Sequence, residues 1–328
     1  MEHRIDTGEH RPIRQALRQA LRRHPFRHLD WINNEVNEMV RHGILEPAAS
    51  PWVSNIVLVK KKNGSLRFFV DYQKFNVVTK PDTYPLPLID NSLNALTGSS
   101  WYSTLDFRSR YYNIPHAEED KDKTAFVTRS GCFRFNEMPF GLTCAPSVFQ
   151  RLMDLVLSGL SYRSCLVHVD DVIVFGHSFD ETMDGLKEVF GRLQRARLKL
   201  KPSKCSLLQR SVEFLGHVVS EAGIAVQEDK IAAIRDWPSC RNITEVRAFM
   251  GLSGYYRCFV KDVSIITSPL YELMKKNVKF IWTRRCQNEF DELKKRLMAG
   301  PILALLKNEE CFILYTDALD FSLGAVLS

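Results

Sequence analysis

Apolar positions recur at two periods along this chain, and the switches between them mark out its elements. Residues 29–42 place Leu29, Ile32, Val36, Met39 and Val40 at helical spacing, with Asp30 near the start and Gly43 just past the end. Residues 55–60 and 65–72 read as strands. Between them Lys61-Lys62-Asn63-Gly64 carries the Asn-Gly pair of a tight hairpin. Pro81, Pro85 and Pro87 mark an extended linker before a short helix over 88–96. A strand over 101–107 ends in a carboxylate, Asp106, and a helix is predicted near 108–113. Residues 126–128 and 132–136 form a second hairpin turning at Ser130-Gly131. The stretch 146–157 is amphipathic, with Val148, Leu152, Leu155 and Val156 on one face.

The run Leu166-Val167-His168-Val169-Asp170-Asp171-Val172-Ile173-Val174-Phe175 predicts two strands of a tight hairpin with the acids at its turn. A helix follows over 179–196, then one strand over 212–219. Helices are predicted over 228–237, 244–260 and 284–298, with Thr244 and Thr283 as N-caps. Residues 311–328 alternate as two strands around 317–321. Residues 1–28 are poorly patterned and hold Arg4, Arg11, Arg14, Arg18, Arg22, Arg23 and Arg27, which predicts an arm ordered only against its partner. Strands and helices mix without regular βαβ alternation, so the fold class is α+β.

Composition narrows the function. The chain has 328 residues, 45% apolar and 25% charged, which suits a globular protein of two or three domains. The net charge of +7 is concentrated in the first 28 residues and in Lys60-Lys61-Lys62, blocks that fit a polyanionic partner such as nucleic acid. Taken alone, each block is equally a solvated surface. No run approaches the roughly 18 apolar residues of a membrane helix, and the first residues lack the apolar core of a secretory signal. The eight cysteines are scattered singly, with no zinc-like spacing. Reduced thiols and an intracellular setting are expected.

Paired carboxylates among apolar strand residues are costly without compensating cations or water. Asp170 and Asp171 alone fit a solvated turn. Asp106, at the end of a similar strand, changes the picture, because three convergent carboxylates suit two Mg²⁺ ions clamping a phosphoryl group.

Four motifs then occur in order: Thr104-Leu105-Asp106, Met138-Pro139-Phe140-Gly141-Leu142 followed by Ala145-Pro146, Val169-Asp170-Asp171, and Phe214-Leu215-Gly216-His217. Together they resemble the reverse transcriptase of gypsy-type LTR retrotransposons, relatives of retroviral polymerases. His3-Arg4-Ile5-Asp6-Thr7-Gly8 and Ser50-Pro51-Trp52 resemble that family's lead-in, and residues 251–257 its thumb and connection. Leu314-Tyr315-Thr316-Asp317-Ala318 resembles the opening of its RNase H domain.

The resemblance implies a right-hand polymerase. Residues 1–42 would be a basic arm and helix, 43–220 fingers and palm, 221–306 thumb and connection, and 307–328 an RNase H fragment. It implies that Asp106, Asp170 and Asp171, with the Phe107 carbonyl, hold two Mg²⁺ ions, Mn²⁺ substituting. Lys61, Arg67, Tyr111, Phe140, Gly141 and Lys204 would contact the dNTP, and Phe214 to Val219 would grip the primer. The implied partners are an RNA template, a DNA primer–template duplex and dNTPs, in the cytoplasm or a retroelement particle, with no membrane. Oligomeric state stays open.

The chain departs from the family pattern at His168, usually Tyr, and at Arg110, usually Gly. Tyr112-Asn113 replaces the more usual His/Trp-Gln. A site for a transition metal at His168 and Asp170 lacks a third ligand. These departures motivate the alternative of a degenerate relic that grips primer–template without chemistry. Asp317 would be the first acid of the RNase H site, and with the chain ending at Ser328 no hybrid cleavage is expected from it. A ribonuclease label inherited from a longer polyprotein is the third reading.

Overall fold

The computed structural model describes residues 1–15, 26–60, 64–300, 302–303, 314–319 and 322–327. Helix α1 (Phe26–Arg41) precedes β1 (Leu45–Pro47), and β2 (Asn55–Lys60) pairs with β3 (Leu66–Asp71). Short helices α2 (Gln73–Val78) and α3 (Ile89–Asn94) lead to β4 (Trp101–Asp106) and a 3₁₀ turn over Arg110–Asn113. One-turn α4 (Glu118–Lys121) is followed by β5 (Phe126–Thr128), β6 (Gly131–Phe135) and α5 (Ala145–Val156). Next come β7 (Cys165–His168), β8 (Asp171–Gly176), α6 (Phe179–Arg195) and the strands β9 (Ser206–Gln209), β10 (Ser211–Phe214), β11 (His217–Ser220) and β12 (Gly223–Val226). Helices α7 (Glu228–Arg235), α8 (Ile243–Tyr255), α9 (Val263–Glu272) and α10 (Arg284–Met298) precede the hairpin of β13 (Leu314–Leu319) and β14 (Ser322–Leu327).

These elements divide into two units. One comprises Met1–Leu88, Leu105–Val174 and Asp184–Cys205; the other comprises Ile89–Thr104, Phe175–Met183 and Ser206–Ser328. The first holds the β1-β6-β5 sheet and the β2–β3 hairpin around an aromatic core that includes Tyr72, Phe75, Phe126, Phe135 and Phe149. The four-stranded sheet runs in the order β7-β8-β4-β9. In the second unit, α8 and α10 pack through Phe249 and Phe290, whose rings are 4.5 Å apart, and Thr283 caps α10 by accepting from the Cys286 N–H.

Several expectations need correction. The first fifteen residues are docked, not loose: His3, Ile5 and Thr7 are buried on alternate positions. His3 bridges to His116, and the Ile5 N–H donates to the Asp120 carboxylate at 2.8 Å. The flanking arginines obscured a period-two stripe. Residues 16–25 lie outside the described residues. In α5 the buried set is Ala145, Val148, Phe149, Gln150 and Met153, whereas Leu155 is 69% exposed. The single strand expected over 212–219 is a hairpin, β10–β11, because Leu215 and Gly216 both adopt left-handed φ. Strands β9 and β12 and helix α9, with Pro269 inside it, were not anticipated. The N-cap of α8 is Asn242, two residues before Thr244, its side chain accepting from the Glu245 N–H.

In the first unit, His3 Nε2 lies 3.0 Å from Cys144 Sγ, and its Nδ1 lies 3.1 Å from His116 Nδ1. Burial holds both imidazoles well below their ordinary range. Asp120 and Asp82 partly oppose this at His3, while Lys121 reinforces it at His116. An unfolded imidazole takes its proton near pH 6.5. The unfolded chain therefore binds more protons as pH falls below that value, and stability is lost with acidification. The unfolding free energy from urea titrations between about pH 7.5 and about 5.5 should fall, by up to ~1.4 kcal/mol per histidine per pH unit below ~6.5. His3→Asn should flatten that slope, and an equal slope in the variant would contradict the assignment.

In the second unit, the hydroxyls of Tyr255 and Tyr256 donate to the carbonyls of Leu215 and Gly216 at 2.6 and 3.0 Å. A Cβ on Gly216, at φ +74°, would sit 2.9 Å from the Tyr256 hydroxyl. Gly216→Ala should cost at least about 1–2 kcal/mol in thermal or denaturant unfolding, and a neutral result would refute the close approach.

Candidate active site

Strands β7 and β8 pair antiparallel with His168 opposite Asp171, so the two-residue turn is Val169-Asp170. The acids are therefore not both in the turn, as expected; Asp171 opens β8. The reason lies in Val169, which adopts φ +55°. That conformation is unfavourable for a β-branched residue. It is held from α5 by Gln150, fully buried, whose Oε1 accepts the Val169 N–H at 2.7 Å. Gln150 Nε2 donates in turn to the Asp154 carboxylate at 2.9 Å and to the Val167 carbonyl at 3.3 Å. Sequence reasoning missed this residue. Its signal was a polar position beside Phe149 on the face of α5 that turns inward.

Asp106 closes β4, the strand beside β8. Its backbone carbonyl accepts the Lys201 N–H at 2.9 Å, and its carboxylate accepts from Lys204 Nζ at 2.8 Å. Phe107 follows, buried and bridged to Leu200. Asp170 forms an ion pair with Arg110 Nη1. The Asp171 side chain opens to solvent on one side. The protein mass behind it nonetheless raises its carboxyl above the ordinary range; Asp106 adds to the rise, and His168, Arg110 and Lys204 oppose it. Asp106, Asp170, Asp171, His168, Arg110 and Lys204 thus form one electrostatic neighbourhood. Among the described residues, no three His, Cys, Asp or Glu side chains converge closely enough to hold a metal ion. Two of the three acids instead face protein cations.

A ladder of cations and rings leaves this neighbourhood. The Arg110 guanidinium lies 4.7 Å from the Tyr111 ring centroid, Tyr111 lies 4.9 Å from Phe140, and Arg67 lies 5.0 Å from Phe140 and 4.7 Å from Phe69. Such contacts contribute roughly 0.5–2 kcal/mol each according to exposure. Gly141, at φ +96°, brings its backbone against β3: a Cβ there would sit 3.4 Å from the Val70 carbonyl oxygen. Asn76 ties the segment down, donating to the Gly141 carbonyl and accepting from the Thr143 N–H. Arg67, Tyr111 and Phe140, with Gly141 next in the chain, are therefore linked by contacts to Arg110, and through Arg110 to Asp170. Lys61 lies outside the described residues. Asp317 lies within β13, paired with Gly324, so it is a strand residue and not part of the turn expected over 317–321.

Residues 59–219 match the family described as reverse transcriptase (RNA-dependent DNA polymerase), and residues 282–328 match an RNase H-like domain found in reverse transcriptase. The chain is 36% identical over 335 residues to the retrovirus-related Pol polyprotein from transposon 297 of Drosophila melanogaster, covering 100% of this chain and 31% of that protein. It is 33% identical over 297 residues to the transposon Tf2-3 polyprotein of Schizosaccharomyces pombe, covering 90% and 22%. The chain thus spans less than a third of the length of these curated relatives. Its fold is similar to the foamy viral protease-reverse transcriptase in complex with dsDNA, with TM-score 0.84 and 23% identity over 97% of this chain and 66% of that one. The same viral protein in complex with RNA/DNA hybrid gives TM-score 0.83 and 21% identity over 100% and 46%. The architecture is that of a right-hand polymerase of class α+β. With the strand-end carboxylates, the ordered motifs and these relatives in agreement, the chain belongs to the reverse transcriptase family of retrovirus-related transposon Pol polyproteins.

Proposed function

We propose that this chain is an RNA-directed DNA polymerase that extends a primer on an RNA or DNA template. The observation that carries the reading is the placement of Asp106 at the end of β4 beside Asp171 at the start of β8, with Asp170 in the adjoining turn. Reverse transcriptases generally use divalent metal ions. The donor set here, three carboxylates and the Phe107 carbonyl, is the hard-oxygen chemistry that Mg²⁺ takes. The carboxylates also draw cations already, Lys204 to Asp106 and Arg110 to Asp170. Loading two such ions would require those side chains to move aside and the three acids, which do not converge closely enough as they stand, to close on the metal; Mn²⁺ would substitute. Bound there, the metals would acidify the primer 3′-hydroxyl and neutralise the triphosphate.

The chain's own residues do the positioning. Gln150 holds the Val169 turn and so fixes where Asp170 points. Tyr111 and Phe140 form an aromatic floor that would seat the nucleotide sugar, and Gly141 lets the backbone approach it. Arg67, exposed on β3, and Lys61 before it would hold the triphosphate. Lys204 would meet the departing pyrophosphate after leaving Asp106. The solved relatives carry double-stranded DNA or an RNA/DNA hybrid, which supports a primer–template duplex as partner here. Binding would run mainly through phosphate and sugar, so it would weaken steeply with salt. Residues 43–220 would act as fingers and palm, 221–306 as thumb and connection, with residues 1–42 as the basic arm and helix. The site of action would be the cytoplasm or a retroelement particle. No helix among the described residues is long and apolar enough to cross a membrane.

Primer extension on an oligo(dT)-primed RNA template should fall by about 10²–10³-fold in Asp170→Asn. Extension that survives the substitution would reject the assignment. Gln150→Leu, which frees the Val169 N–H without emptying the core, should lower extension by about 10–100-fold while circular dichroism stays unchanged. Wild-type rates in that variant would show that the turn holds itself.

A further inference from the structure

The polymerase reading leaves Arg110 at the site without a role. Arg110 reaches Asp170 from the 3₁₀ turn after β4, with 25% of its side-chain surface exposed against 38% for Asp170. Its guanidinium also lies over Tyr111 and 6.0 Å from Phe140. Its Nε is buried and has no hydrogen-bond partner. An unsatisfied buried donor costs about 1–3 kcal/mol. The guanidinium is therefore held by one strong charge contact and by ring stacking, not by a full set of hydrogen bonds. That is the signature of a group with somewhere else to go.

Lys204 on Asp106 has the same sign but less weight. It is 55% exposed, and exposed pairs contribute only about 0–1 kcal/mol. The Arg110 pair is better shielded. On the polymerase reading a divalent ion would need the same Asp170 carboxylate, and two cations would share it only against strong repulsion.

We propose that Arg110 is a built-in counter-cation for Asp170 that competes with divalent ions for the carboxylate and so sets the metal concentration at which the site loads. The inference rests on the polymerase reading of the three acids. A site available for only a fraction of the time shows an affinity reduced by that fraction, so a pair formed nine-tenths of the time weakens binding about tenfold. The arrangement would keep the carboxylates compensated between catalytic cycles and move loading to a higher ion concentration.

The test is a Mn²⁺ titration of the full chain, with free ion read by electron paramagnetic resonance, in wild type, Arg110→Met and Asp170→Asn. Arg110→Met keeps an unbranched stem over Tyr111 and removes the charge. It should bind Mn²⁺ about tenfold more tightly than wild type, whereas Asp170→Asn should lose the site. A folded Arg110→Met with the wild-type Kd overturns the inference and leaves the polymerase reading intact. Unchanged binding in Asp170→Asn overturns both. A second measurement needs no variant. Mg²⁺ added to wild type should move the Arg110 Nε–H resonance in a nitrogen-edited spectrum, and a resonance unmoved at saturating Mg²⁺ overturns the inference on its own.

Discussion

Compensation of negative charge at the β4–β8 end is the constraint around which the first unit is arranged. Asp106 and Asp171 stand at the ends of neighbouring strands, and Asp170 is one residue away in the turn. Gathered carboxylates repel one another and resist desolvation. The rise in the Asp171 pKa registers both effects, burial first and the Asp106 charge after it. The chain meets that cost with its own cations, Lys204 on Asp106 and Arg110 on Asp170. On the proposed reading, catalysis exchanges those side chains for metal, so the apparent metal affinity is a difference between two sets of charge contacts.

Geometry at that point is enforced from behind. A Val in left-handed φ would relax on its own, and the buried Gln150 amide prevents this by taking the Val169 N–H and bonding across to Val167 and Asp154. The strain at the turn is thus over-determined by the packing of α5, as strained functional turns generally are. The second unit uses the same device at Leu215-Gly216, where the paired hydroxyls of Tyr255 and Tyr256 hold two consecutive left-handed residues. In both places a helix supplies the polar group that a hairpin cannot supply for itself.

Much of this was legible in the residues. The hairpin of β2 and β3 followed from alternation and an Asn-Gly turn, and α10 began at the Thr283 cap its residue type announced. The strand-end position of Asp106 was also readable from the apolar run that it closes. Other features were hidden for physical reasons. The β10–β11 turn resides in a Leu-Gly pair inside an apolar run, where no polar turn residue breaks the pattern. The docked arm was masked because His3 and Thr7 are polar residues buried by specific partners, which hydrophobic periodicity does not count. Gln150 was passed over for the same reason, its only signal being a polar position next to buried Phe149. The pairing of Arg110 with Asp170 joins residues far apart in the chain, and only the fold brings them together.

The most direct test of the account is anomalous diffraction from crystals of the chain soaked with Mn²⁺. The account predicts anomalous peaks between Asp106, Asp170 and Asp171, with the Arg110 guanidinium swung off Asp170 and Lys204 released from Asp106. Manganese found elsewhere, with both cations still seated on their carboxylates, would contradict it.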